Sequence, residues 1–200
     1  MGADSVTAAG TLPGPDGMPR CPWAVAAVDY LNYHDQEWGR PVRDDAGIYE
    51  RLVLEGFQSG LSWLTILRKR PAFRAAFAGF DMAAVAAFDA GDRARLLADA
   101  GIVRNRAKID AAIANARAAL ELPSGLGALV WSFAPTKGGP PPATVADIPA
   151  TTPESAAMAR ELKRSGFRFI GPTTAYALMQ ACGLVDDHLA GCGWRGRPER

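Results

Sequence analysis

From Asp44 onward apolar residues recur at the three- and four-residue spacing of a helix, and no run of four to eight residues alternates cleanly enough for a strand. The pattern predicts an all-α fold. Ile48, Leu52, Glu55 and Ser59 fall on one helical face, with Tyr49, Val53 and Phe57 beside it and Asp44 or Asp45 placed to cap the start. Asp81 should cap a short alanine-rich helix through Phe88, and Asp89 another through Ala98. Ile109, Ile113, Ala116 and Leu120 mark an amphipathic helix from near Asn105 to just before Pro123. The Gly-Gly-Pro-Pro-Pro stretch between Pro135 and Pro149 cannot continue a helix and reads as a connector. Thr152, Pro153 and Glu154 then supply a cap, a first-turn proline and a first-turn acid for a helix to about Arg164, with Gly166 placed to stop it. A last helix opens at Pro172 after Gly171 and stops at Gly183.

The chain has 200 residues, enough to bury a sizeable core without covalent help. Its three cysteines, Cys21, Cys182 and Cys192, cannot pair completely, which points to a reducing, cytoplasmic setting rather than a disulfide framework. No apolar run approaches the length of a bilayer span, so no membrane association is expected. Residues 1–20 carry neither the basic start nor the apolar stretch of a secretory signal and read as a flexible tail. Residues 21–194 form the expected domain, and 195–200 a basic tail. Net charge is +1, so a polyanion would have to be met locally. Four clusters offer that: Arg68-Lys69-Arg70, Arg104 with Arg106 and Lys108, Lys163-Arg164 with Arg168, and Arg195, Arg197 and Arg200. Each is equally read as a solvated surface. No long apolar surface stripe demands a partner copy, so a monomer is expected.

The chain has two histidines, and each stands near a cysteine: Cys21 with His34, and His188 with Cys192. Two thiolates and two neutral imidazoles would complete an uncharged zinc tetrahedron without an open position, the form of a structural site. Such a site would staple the start of the domain to its end. The alternative is four ordinary buried side chains, since these spacings match no single zinc finger. Cys182 lies within the last helix and reads as core.

Glu55 interrupts an apolar face, so it either points inward or escapes to solvent at the helix end. Pointing inward, it would have to be paired, protonated or waiting for a ligand, because an isolated buried carboxylate is costly. Trp23, Tyr30, Tyr33, Trp38 and Trp63 crowd the same part of the chain and read either as core or as a cage for a planar, cationic ligand. The turn GFRFIGPTTA at 166–175 joins two helices through Gly166, Gly171 and Thr173. Its N–H groups, the second helix's positive end and the cations Lys163, Arg164 and Arg168 suit a DNA phosphate without reading sequence.

These pieces, with YHDQEWG at 33–39, LEGFQSGLSW at 54–63, AGIVRNRAKI at 100–109, VWSF at 130–133, MQACGLV at 179–185 and the following Asp187, His188 and Cys192, closely resemble the DNA-3-methyladenine glycosylase I family over about residues 20–193. The resemblance implies a helix-hairpin-helix DNA glycosylase that removes 3-methyladenine from alkylated double-stranded DNA and releases the free base. It further implies that Cys21, His34, His188 and Cys192 hold one structural Zn²⁺. Glu55 matches the acid that hydrogen-bonds the damaged base, Tyr33 its neighbour and Trp63 the ring that stacks on it. Trp23, Tyr30 and Trp38 match other positions around the pocket, and Leu61 a residue near the gap left by the flipped nucleotide. Where the family characteristically offers asparagine this chain carries Asp186, which is expected either to supply a catalytic carboxylate or merely to cap the turn before His188. The competing readings are a zinc-stabilised damage-binding module without catalysis and a zinc hydrolase.

Overall fold

A computed structural model describes residues 10–196. Residues 1–9 and 197–200, which include Arg197, Arg200 and part of the expected N-terminal tail, lie outside the described residues. The remainder is helical apart from two short antiparallel strands, β1 (Leu12–Pro13) and β2 (Pro19–Arg20). Those strands correct the expectation of a flexible tail reaching Arg20. The hairpin is fixed because Arg20 is only 2% exposed and bonds Asp35, Asp16 and the Met18 carbonyl.

Helix α1 (Val28–Gln36) follows a 3-10 turn at Pro22–Ala26. Helix α2 (Asp45–Gln58) is capped by Asp44, whose side chain accepts from the Gly47 amide. Helix α3 (Trp63–Ala76) starts at the Ser62 cap and contains Pro71. The short α4 (Met82–Ala86) and α5 (Ala90–Ala98) begin at Asp81 and Asp89, as their capping residues require. Then come α6 (Arg106–Leu120), capped by Asn105, and α7 (Gly125–Trp131). The 135–149 connector holds one 3-10 turn, Val145–Asp147. Finally α8 (Pro153–Arg164), capped by Thr152, and α9 (Pro172–Ala181) enclose the glycine-bearing turn, where Gly166 has φ +92°.

Helix α2 is central. It packs against α3, α6, α7 and α9, and its residues Ile48, Tyr49, Leu52, Val53, Leu54 and Phe57 belong to the main core with Phe73, Phe77, Phe80, Ile109, Ile113 and Met179. Burying such side chains is the principal force holding the helices together, at roughly 1.5–3 kcal/mol for each large one. The Tyr49 hydroxyl donates to the Ala112 carbonyl on α6, so the ring enters the core without stranding its polar end. A smaller cluster of Cys21, Tyr33, Trp38, Leu67, Leu189 and Cys192 brings both ends of the domain together, and Trp63 packs against both clusters. Cys182 is fully buried in the main core, as read.

The fold takes up one basic cluster and the lysine of a second. Arg68 pairs with Asp29, Arg70 grips Glu37 with two 2.6 Å bonds, and Lys69 donates to the carbonyls of Ala100 and Gly101. Lys108 is buried, its ammonium donating to the carbonyls of Phe57 and Ser59 at the end of α2. Arg104 and Arg106 remain exposed. Among the described residues no helix is long and apolar enough to cross a membrane.

Candidate functional site

Glu55 sits in the last part of α2 and is 7% exposed. No described residue hydrogen-bonds its carboxyl. Burial therefore pushes its pKa up to about 8, because the charged form has lost water and gained nothing in exchange. Tyr33, buried on α1, is electrostatically coupled to it: desolvation first, and the Glu55 charge second, hold the phenol well above its usual range. Trp63, the first residue of α3, lies 5.3 Å from Tyr33 between ring centroids, and its buried indole Nε1 has no hydrogen-bond partner. An unsatisfied buried group costs roughly 1–3 kcal/mol. An acid electrostatically coupled to Tyr33 and an indole N–H packed on the same phenol ring, both left unpaired, suit a site for a polar, flat ligand.

The other aromatic residues extend away from this point. Trp23 stands 6.4 Å from Tyr33 and 5.1 Å from Trp38, edge-on to the latter. Trp38 stacks on His34 and meets His188 at 4.7 Å, so it packs the histidine corner. Tyr30 accepts a hydrogen bond from the Leu64 amide in the first turn of α3, 2.9 Å away, and so anchors the helix that carries Trp63. Both had been expected around the pocket; their observed contacts are to the histidine corner and to the α3 start.

At that corner the ligand atoms of Cys21, His34 and Cys192 lie within 4.8 Å of one another, a group that could hold a metal ion. Cys192 Sγ and His34 Nε2 are 3.5 Å apart, while His34 Nδ1 bonds Asp35 at 2.8 Å. His188 lies outside that group of three, with its ring 4.7 Å from His34. Its Nδ1 bonds Asp186 at 2.8 Å and its buried Nε2 has no hydrogen-bond partner. Gly39 permits this approach: a Cβ there would stand 3.0 Å from the His188 ring, and its φ of +73° suits glycine. The neighbouring thiol Cys21 and the His34 imidazole hold the Cys192 thiol below its usual pKa, whereas Cys21 is raised.

Asp186, read from sequence as a candidate catalytic carboxylate, is engaged elsewhere. Its oxygens accept from His188, from the His188 amide and from the Gly196 amide, and Arg195 stands 3.7 Å away. An acid two residues before His188 caps the turn through the His188 amide, the second of the two roles open to it, and is held where it orients that imidazole. Asp187 is likewise taken up, accepting from Tyr176 and Gln180.

The turn between α8 and α9 leaves Lys163, Gly166, Arg168, Gly171 and Thr173 exposed. Asn115 on α6 was not singled out in the sequence, yet it clamps this turn. Its side-chain oxygen accepts from the Arg168 amide at 2.7 Å and its nitrogen donates to the Arg168 carbonyl at 3.1 Å. An asparagine breaking an apolar stretch was the available signal. Asn115→Ala should cost about 1–2 kcal/mol in chemical denaturation, since both backbone groups lose their partner. Leu61 stands 42% exposed in the loop between α2 and α3.

A helical body that buries an unpartnered acid in electrostatic reach of an aromatic phenol, with an exposed basic helix-turn-helix unit beside the same helix, suits a protein that recognises a flat, electron-poor group on a polyanion. The comparisons give this class its particular form. Residues 23–196 match the model of the methyladenine glycosylase family. The chain is 46% identical over 179 residues to DNA-3-methyladenine glycosylase 1 of Escherichia coli (strain K12), covering 88% of this chain and 96% of that one. It is 42% identical to the DNA-3-methyladenine glycosylase of Haemophilus influenzae, covering 86% and 96%. A Staphylococcus aureus 3-methyladenine DNA glycosylase I, solved to explain its recognition of 3-methyladenine, superposes with a TM-score of 0.84 at 32% identity, covering 90% of this chain and 98% of that one. The chain belongs to the methyladenine glycosylase family.

Proposed function

We propose that this chain is a monofunctional DNA glycosylase that hydrolyses the N-glycosidic bond of 3-methyladenine in alkylated double-stranded DNA. The observation that carries the reading is the buried, unpartnered Glu55 carboxyl next to Tyr33, with the unpartnered indole of Trp63 beyond.

Methylation at N3 makes adenine cationic and already a good leaving group, so little acid catalysis is needed. Extruding the nucleotide costs a few kcal/mol. Stacking on Trp63 and a charge-assisted hydrogen bond to ionised Glu55 offset that cost. Ring faces favour the cationic base over neutral adenine by roughly 1–2 kcal/mol per well-placed ring. As the bond from the sugar carbon to the base breaks, its electron pair neutralises the purine, and water adds to the oxocarbenium-like carbon and loses a proton. A lyase step would need a free amine at the site. The chain has four lysines, and Lys108 is committed to two carbonyls. The hairpin of α8 and α9 would hold phosphates through the turn and Arg168, with Leu61 beside the vacated position.

The donor set at the histidine corner fits zinc. Four N and S ligands around Zn²⁺ stand about 3.3–3.8 Å apart, and the Cys192–His34 spacing of 3.5 Å falls in that range. The orphaned His188 Nε2 would supply the fourth donor, with Asp35 and Asp186 already holding both imidazoles through Nδ1. Bound there, Zn²⁺ would be structural. Asp186→Asn should accordingly leave single-turnover excision unchanged while weakening zinc retention about 10-fold, read by transfer to a competing chelator. Action as a cytoplasmic monomer is part of the same reading; the three buried free cysteines support the reducing compartment.

Incubation with methylated duplex and chromatography of the released bases tests the function. Free 3-methyladenine is the expected product. Tight binding without release would favour a damage-binding module.

A further inference from the structure

The turn between α8 and α9 carries a side chain for which a phosphate cradle has no use. Among the described residues Phe169 is the one aromatic in the set of exposed large apolar side chains, 48% exposed at the tip of the turn. Its φ is +59°, a conformation that glycine adopts freely and a bulky L residue adopts at a cost. Retaining a ring that is both strained and half exposed points to a contact outside the chain. The strain is held by its surroundings: Asn115 fixes both backbone groups of the preceding Arg168. Gly56, the neighbour of Glu55 on α2, lies beside the turn: a Cβ there would make ordinary contact, 4.0 Å from the Phe169 carbonyl oxygen.

The position of the ring matters as much as its exposure. Phe169, Gly56, Asn115, Arg168 and Lys108 line one small cleft at the end of α2. Lys108 also holds the Ser59 carbonyl, two residues before exposed Leu61. The two apolar side chains therefore rise from adjoining turns at the same end of the helix that carries Glu55. Around them Arg168, Arg104 and Arg106 are exposed, which suits a partner that presents phosphates beside apolar sugar and base faces.

We propose that Phe169 is an apolar DNA contact, packing on the deoxyribose and base edge of the strand whose phosphates the hairpin holds, and forming with Leu61 a two-point footing for the distorted duplex. The inference rests on the DNA-binding reading above and adds to it a residue whose contribution is independent of salt. Fluorescence anisotropy with a duplex bearing a stable abasic-site analogue, over a range of salt concentrations, tests it on Phe169→Ala, Phe169→Gly and Arg168→Ala. Both Phe169 variants should bind about tenfold more weakly, as expected for an aromatic contact removed. Their salt dependence should stay that of the unsubstituted chain, whereas Arg168→Ala should lower the slope by about one. Phe169→Gly, freed of strain, should be at least as heat-stable as Phe169→Ala, so weaker binding cannot be ascribed to unfolding. If Phe169→Ala binds as well as the unsubstituted chain while Arg168→Ala weakens, the contact is refuted and the DNA reading stands. If Phe169→Ala lowers the salt slope, the ring merely props the phosphate cradle and the inference fails. If neither substitution weakens binding, the hairpin reading on which it depends fails too.

Discussion

Glu55→Gln should make the protein more stable and nearly inactive at once. With a carboxyl near pKa 8 in the fold against 4.5 for an ordinary glutamate, the folded state holds a proton that the unfolded chain releases. The sign follows from that difference. The protonated carboxyl's advantage is fully present below about pH 4.5, shrinks as pH rises, and is lost once pH passes about 8. Glutamine has no such penalty, so the variant should gain on the unsubstituted protein across that window and hold a constant margin above it. Each pKa unit is about 1.4 kcal/mol, so the full margin is on the order of a few kcal/mol. Thermal melts at pH 5, 7 and 9 measure it. Excision should fall about 10- to 100-fold, the value of a hydrogen bond to a charged partner. A protein that spends stability to keep an acid dry keeps it for a ligand; equal melting shifts at all three pH values would deny that Glu55 is dry.

The second large effect belongs to the histidine corner. Cys192→Ser should lower folding stability by several kcal/mol and reduce zinc per chain toward zero, because a metal that joins both ends of the domain contributes its binding energy to folding. Elemental analysis with denaturant titration, before and after chelation, measures both. A zinc hydrolase would behave differently: the variant would stay folded and lose chemistry alone.

How far the sequence could be read depended on whether a cause was local. Capping residues Asp44, Asp81, Asp89, Asn105 and Thr152 start their helices where the chain says, because each cap acts within three residues. Helix α3 went unread, its Arg68-Lys69-Arg70 standing out only as surface charge; in the fold Asp29, Glu37 and two distant carbonyls take up the three cations. The hairpin at Thr11–Arg20 depends on Asp35, and the role of Tyr30 on a backbone amide 34 residues away, so neither is visible as a local pattern. Within the site, the inward turn of Glu55 was legible as a break in an apolar face. For Asp186 the sequence left two roles open, and only the folded turn shows the acid engaged with the His188 amide and ring.

A crystal structure of this chain with 3-methyladenine tests the central claim most directly. The purine should lie within hydrogen-bonding distance of the Glu55 carboxylate, with its face on the Trp63 ring and Tyr33 at its edge. A base bound away from Glu55, or a Glu55 side chain turned out to water in the complex, would contradict it.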